Sequence, residues 1–256
     1  MDFQERIKQK KGKEKIVMLT AYDYQMAKIL DDAGIDLILV GDSLGMVVQG
    51  YSDTKSVKMA DMLYHTRAVA RGAKKTPIIG DMPINSYNTP EEALKNAKSF
   101  IEAGAHGVKV EGNKPEVVKA LLNAGIPVQG HVGMLPQLSE AYRVKGKNPE
   151  EAEKIFRDAL ELDRLGVFSI VIECVPEGLA KRITEAVSAP TIGIGAGKYC
   201  DGQVLVVNDL LGMDLSFKPK FVKRYAELGN IIKGAVEKFV EEVKTGLYPD
   251  EEHTYH

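Results

Sequence analysis

The sequence is poor in cysteine, in net charge and in long apolar runs, and each shortage excludes something. Its two cysteines, Cys174 and Cys200, form neither a C-x-x-C pair nor a spaced framework, so a disulfide-stapled scaffold is excluded and a reducing compartment fits. Against 36 Asp+Glu stand 34 Lys+Arg, a net charge of −2, which lacks the basic field that nucleic-acid binding needs. No nucleic-acid partner is expected. No apolar stretch approaches the roughly 18 residues of a membrane span, and the amino terminus, Met1 to Lys15, is polar and rich in lysine. A cytoplasmic protein without membrane association is the expectation. No repeat or Pro/Gly/Ser-rich linker divides the chain, so 1–256 reads as a single domain.

What is present is a series of strand and helix units. The 256 residues match the roughly 250 of a (β/α)8 barrel. Short apolar runs begin at Lys15, Asp36, Thr76, Gly107, Ile126, Val167, Pro190 and Gln203, and most are followed by a turn and a helix-period segment, the mark of parallel βαβ construction. Thr89-Pro90-Glu91-Glu92 and Asn148-Pro149-Glu150-Glu151 each open a helix with an N-cap, a first-turn proline and acids that suit the helix dipole. Gly34, Gly104, Gly125 and Gly166 close helices ahead of strands. The seventh and eighth runs lie too close for a helix between them. A last helix is predicted over about 221–243, with apolar residues three and four apart. It packs on the barrel wall or serves as an exchanged or interface helix, and Gly229-Asn230 weakens it.

In a parallel barrel all strand carboxyl ends open onto one face, where polar residues read as catalytic. The second run ends in Asp42 and Ser43, the third in Asp81, the fourth in Lys109 and Glu111, the fifth in His131 and the sixth in Glu173. One such residue alone is readily an N-cap or the point where a strand meets water. Five successive strands ending this way favour an active site, whereas His253 and His256 read as solvated. The unequal spacing of the runs puts extra length after the second and fifth strands, above the same face.

Asp42, Asp81 and Glu111 offer only oxygen to a ligand, and carboxylates converging in a partly dry mouth need a cation among them. Without clustered thiolates or imidazoles the set points to Mg²⁺ rather than zinc. Lys109, alternating with Val110, faces the same side as Glu111 and suits an anionic substrate. An acid with an adjacent carbonyl can chelate Mg²⁺ through both oxygens, and with Glu173 as general base the residue types indicate metal-assisted enolisation of a 2-keto acid.

These residues lie in ordered motifs: Thr20-Ala-Tyr-Asp23, Gly41-Asp-Ser-Leu-Gly45, Asp81-Met-Pro83, Val108-Lys-Val-Glu-Gly112, Gly130-His-Val-Gly133, Ile172-Glu-Cys-Val-Pro176 and Ile192-Gly-Ile-Gly-Ala-Gly197. Together they resemble the ketopantoate hydroxymethyltransferase family over nearly the whole chain, and Glu251-Glu-His253 is similar to its tail. The resemblance implies a (β/α)8 TIM barrel of the phosphoenolpyruvate/pyruvate-like group. The implied reaction takes a one-carbon unit from 5,10-methylenetetrahydrofolate to 3-methyl-2-oxobutanoate, giving 2-dehydropantoate on the route to pantothenate and coenzyme A.

By the same resemblance Asp42 and Asp81 bind Mg²⁺, and Glu111 belongs to the metal's shell directly or through water. Ser43 and Lys109 hold the keto acid, and Glu173 accepts the C3 proton. His131 orients substrate or supports the site from behind. The implied assembly is a homo-oligomer, often a decamer. The chain departs from the family at Val132 and Met134-Leu135-Pro136-Gln137, within a segment, 132–147, expected on the folate side. The alternatives are another Mg²⁺-dependent 2-oxo-acid carbon–carbon lyase or mutase, a phosphate cradle at Gly193–Gly197 in place of simple close packing, and a non-catalytic binding barrel.

Overall fold

Each apolar run becomes a strand, and β2, β3 and β4 are buried along their whole length, as parallel strands covered on both faces are. The computed structural model describes residues 2–139, 143–214, 216 and 219–256. Residues 140–142 of the segment expected on the folate side lie outside the described residues.

The chain forms two compact units, Met1–Val206 and Val207–His256. The first runs α1 (Phe3–Lys10), β1 (Ile16–Thr20), α2 (Tyr24–Ala33), β2 (Leu37–Val40), α3 (Leu44–Val47), α4 (Met59–Gly72), β3 (Ile78–Asp81) and α5 (Pro90–Glu102). It continues with β4 (Gly107–Glu111), α6 (Pro115–Asn123), β5 (Val128–Gly133), α7 (Pro149–Leu165), β6 (Ser169–Glu173), α8 (Glu177–Ala186), β7 (Thr191–Ile194) and β8 (Gly202–Leu205). The eight strands pair in chain order into a closed parallel barrel, sealed where Ile16 of β1 meets Gly202 of β8. This is the (β/α)8 fold that the spacing predicts, without a helix between β7 and β8.

Side chains fill the barrel from below. Met18, Leu37, Leu39, Ile79, Ile192 and Val204 form a buried cluster with Ile7 of α1. The polar amino terminus thus contains a helix that its composition conceals, capped by Asp2. Phe3 on that helix stands edge-on to Phe168, just before β6, with ring centroids 5.4 Å apart.

Carboxylates at the amino-terminal end of the barrel are held by backbone. Asp31 accepts from the N–H groups of Lys74, Lys75 and Thr76. Burial alone would raise this carboxyl, but those donors outweigh it and bring it down to about 2. Asp163 accepts from the Ser188 and Ala189 N–H groups. Asp201 takes the N–H groups of Gly12 and Thr191 and the Lys11 ammonium, and is lowered for the same reason against burial. These contacts clip loops to strand starts.

The second unit carries α9 (Val207–Leu211) and α10 (Leu228–Thr245), followed by a 3-10 turn at Glu251–His253. The last helix therefore starts later than the apolar spacing predicts. The Tyr225 N–H is given to Leu210, so the chain just before the helix is tied to the α9 region and not wound into it, and the Gly229 N–H in the helix's first turn is given to Gly212. None of the residues of α10 is buried.

Candidate active site

The ionisable residues that end β2 to β6 meet because the strand register climbs from one strand to the next. Asp81 of β3 is level with Lys109 of β4, Glu111 of β4 with His131 of β5, and Glu173 of β6 with Gly133, two residues above His131. Alternation turns Lys109, Glu111 and His131 inward. Asp42, Asp81, Lys109, Glu111 and His131 are all buried, while the Glu173 side chain keeps 16% exposure and so is the member that reaches the opening.

Two groupings share this mouth. On one side the Lys109 ammonium lies 2.6 Å from Asp81 Oδ1, and the Asp42 backbone N–H donates to Asp81 Oδ2 at 3.3 Å. On the other, the His131 ring stands between two acids, with Nε2 3.2 Å from Glu173 Oε2 and Nδ1 3.6 Å from Glu111 Oε2. Neither ring nitrogen makes an aligned hydrogen bond. Ser43 Oγ lies 2.9 Å from the Tyr22 hydroxyl, a neighbour from β1's carboxyl end.

The electrostatics report too little positive charge. Burial and then Asp81 push the Asp42 carboxyl up to about 7. Burial, opposed by Lys109, pushes Glu173 up to about 8 and lifts Glu111 well above the usual carboxylate range. Burial acts to lower the Lys109 ammonium, yet Asp81, Asp42 and Glu111 outweigh it and hold Lys109 above its ordinary value. Burial and then Lys109 drive His131 well below its ordinary value, so the ring is neutral. One lysine thus faces four acids, a deficit that a bound cation would relieve.

Two residues outside the predicted set belong to the site. Gln137, 1% exposed, donates from Nε2 to Asp42 Oδ2 and to the Met82 carbonyl, both at 2.9 Å, and from its backbone N–H to Glu111 Oε1 at 2.9 Å. The Tyr87 hydroxyl donates to Gln137 Oε1 at 2.6 Å, and burial together with Glu111 raises that phenol. Loop residues of this kind carry no period that a sequence reveals. Their only sequence signal is that 134–137 directly follows a strand ending in His131.

Among the described residues no group of three or more His, Cys, Asp or Glu side chains is arranged to hold one ion. A two-carboxylate site at Asp42 and Asp81 suits Mg²⁺, which keeps waters and leaves positions for substrate oxygen. The Cys174 thiol is pushed up to about 12 by burial and Glu173, which makes it a poor acid–base or nucleophilic group at neutral pH. Its backbone is left-handed, with φ 46°, directly after Glu173. Gly193 and Gly197 serve packing: a Cβ on Gly197 would lie 2.3 Å from Glu177 Cβ, and one on Gly193 3.0 Å from Cys200 Sγ.

A mouth that had only to be stable would not bury three acids, with a fourth at their edge, around one ammonium, and this arrangement on a closed parallel barrel marks an enzyme of the (β/α)8 class. The chain belongs to the ketopantoate hydroxymethyltransferase family, whose model matches residues 2–251. It is 53% identical to the 3-methyl-2-oxobutanoate hydroxymethyltransferase of Syntrophus aciditrophicus, over 96% of this chain and 93% of that one. The protein of the same name from Caldicellulosiruptor saccharolyticus is also 53% identical, over 97% and 96%. Among solved structures, a phosphonopyruvate hydrolase aligns with a TM-score of 0.65 at 13% identity, covering 100% of this chain and 92% of that one. A 2,3-dimethylmalate lyase, described as a PEP mutase/isocitrate lyase superfamily member, gives 0.63 at 14% identity, covering 99% and 92%. At those identities the likeness is one of fold, and it agrees with the (β/α)8 barrel expected from the sequence.

Proposed function

We propose that the enzyme transfers a one-carbon unit from 5,10-methylenetetrahydrofolate to 3-methyl-2-oxobutanoate, forming 2-dehydropantoate for pantothenate and coenzyme A synthesis, with Mg²⁺ held by Asp42 and Asp81. The observation that carries it is the buried set Asp42, Asp81, Lys109 and Glu111 beside a raised Glu173, in a chain whose relatives bear that enzyme's name. Bound Mg²⁺ supplies Lewis-acid polarisation of the keto oxygen, which acidifies C3. Glu111 would belong to the shell of the same ion, directly or through water.

Lys109 and Ser43 hold the keto acid's oxygens. The Lys109 ammonium is fixed by Asp81 and keeps its charge in a dry mouth, where it acts strongly on an anion. Glu173 takes the C3 proton, and its affinity for that proton, set near 8 by burial, suits a base working near neutrality. Neutral His131 stands against Glu173 and restricts where that carboxylate swings. Water adds at the folate's methylene carbon and both of its C–N bonds break, the two hydrogens of water passing to the nitrogens of the departing tetrahydrofolate. The electron pair on C3 forms the new C–C bond to the carbonyl carbon so released, and the proton held by Glu173 goes to the resulting alkoxide. In this reading the protein works in the cytoplasm as a homo-oligomer, the decamer being the size the family resemblance implies.

The test is proton exchange. With Mg²⁺ and 3-methyl-2-oxobutanoate in D₂O, the C3 proton is expected to exchange, as read by NMR, and added methylenetetrahydrofolate to give 2-dehydropantoate. Glu173→Gln removes the base and is expected to slow exchange by roughly 10²- to 10⁴-fold. Wild-type enzyme that neither exchanges nor forms product overturns the proposal.

A further inference from the structure

Gln137 is not a ligand in the proposed reaction, yet it binds two of the three acids assigned to the metal. Its side chain has no spare polar atom. Both amide hydrogens are used, on Asp42 Oδ2 and the Met82 carbonyl, and its oxygen accepts from Tyr87. Turning the amide over would set its oxygen against two acceptors, so the network admits one orientation. The same residue's backbone N–H occupies Glu111 Oε1. Among the described residues no hydrogen bond falls on Asp42 Oδ1, and Glu111 Oε2 has only the unaligned His131 Nδ1 at 3.6 Å. Each acid is therefore pinned by one oxygen and leaves the other available.

We propose that Gln137 is a positioning residue for the cation site: it fixes one oxygen of Asp42 and one of Glu111 and so presets the face each carboxylate offers. Tyr87 serves the same end one step further out, by holding the amide in its single orientation. The geometry needs a neutral group with both donors and an acceptor at this spot. A hydrocarbon leaves the acids free to rotate, and a carboxylate adds a fifth negative charge. The inference rests on the Mg²⁺ reading above and goes beyond it in naming what holds the ligands still.

The test is Mn²⁺ uptake by the full-length protein, read from the loss of the free-ion EPR signal, with thermal unfolding of the metal-free protein measured alongside. Gln137→Met keeps length and removes the polar atoms. It is expected to weaken Mn²⁺ binding 10- to 100-fold, the usual loss when support behind a metal ligand is removed. Tyr87→Phe is expected to weaken it a few-fold. A merely structural role lowers the unfolding temperature but leaves Mn²⁺ affinity unchanged. Folded Gln137→Met that binds Mn²⁺ as wild type does overturns the inference while the metal reading stands. Should Gln137→Met fail to fold, Tyr87→Phe decides, and unchanged affinity in it overturns the inference. Wild type that takes up no Mn²⁺ overturns the metal reading, and this inference with it.

Discussion

Lys109 is the residue on which the charge balance of the mouth turns. It is the cation facing Asp81, Asp42 and Glu111, and its pair with Asp81 is 2.6 Å long with both side chains buried. Breaking a buried pair by removing one partner typically costs about 3–5 kcal/mol, because the other charge is stranded. Lys109→Met is therefore expected to lower urea-unfolding stability by about that amount. A loss below about 1 kcal/mol would mean that the acids are already neutralised by shared protons. At this scale the sequence was readable wherever an apolar run ended in an ionisable group, and Asp42, Asp81, Lys109, Glu111, His131 and Glu173 gather at one mouth. Gln137 and Tyr87 were not readable. A neutral polar residue in a loop breaks no pattern, and its importance comes from contacts that exist only after the barrel closes.

Among the elements, β3 shows how tightly the carriers of these residues are packed. Gly80, next to Asp81, sits against α5 so closely that a Cβ would lie 2.3 Å from the Phe100 ring, and Phe100 is fully buried. Overpacking of this kind costs about 1–3 kcal/mol. Gly80→Ala is expected to show that loss in urea unfolding and to reduce turnover by displacing Asp81. Phe100→Leu in the same chain is expected to return part of both, and purely additive effects in the double variant would rule out this contact as the cause. Strands were legible because their apolar runs are short and bounded by turns. The last helix starts later than predicted because its three-and-four spacing extends back through Tyr225, whose backbone N–H goes to Leu210. Periodicity cannot report such a competition. The helix α1 was missed for a different reason, since a lysine-rich surface hides the few apolar residues, Phe3 and Ile7, that anchor it.

For the whole molecule, the proton affinities of the acids set how stability follows pH. Asp42 at about 7 and Glu173 at about 8, with Glu111 raised as well, bind protons more tightly folded than unfolded. Their contribution is complete below the ordinary carboxylate range and is lost as pH rises through about 7 to 8. The unfolding temperature of metal-free protein is therefore expected to fall between pH 5.5 and 8.5, in about the range those groups define. A divalent ion at a hundred times its Kd is expected to restore about 2.7 kcal/mol. A metal-free unfolding temperature that rises across this range, in calorimetric scans, would contradict the assignment of these acids as unrelieved in the folded state.

The carboxylates at the two ends of the barrel are the same chemical group made to answer to different acidities. Asp31 and Asp201, clasped by backbone amides, stay ionised down to acid that has long since silenced Asp42 and Glu173. In the metal-free protein, mild acid is therefore expected to protonate the acids of the mouth while the clips at the opposite end stay ionised. The barrel keeps the acids of its mouth apart from the acids of its framework, so one set is expected to take up protons while the other keeps its charge.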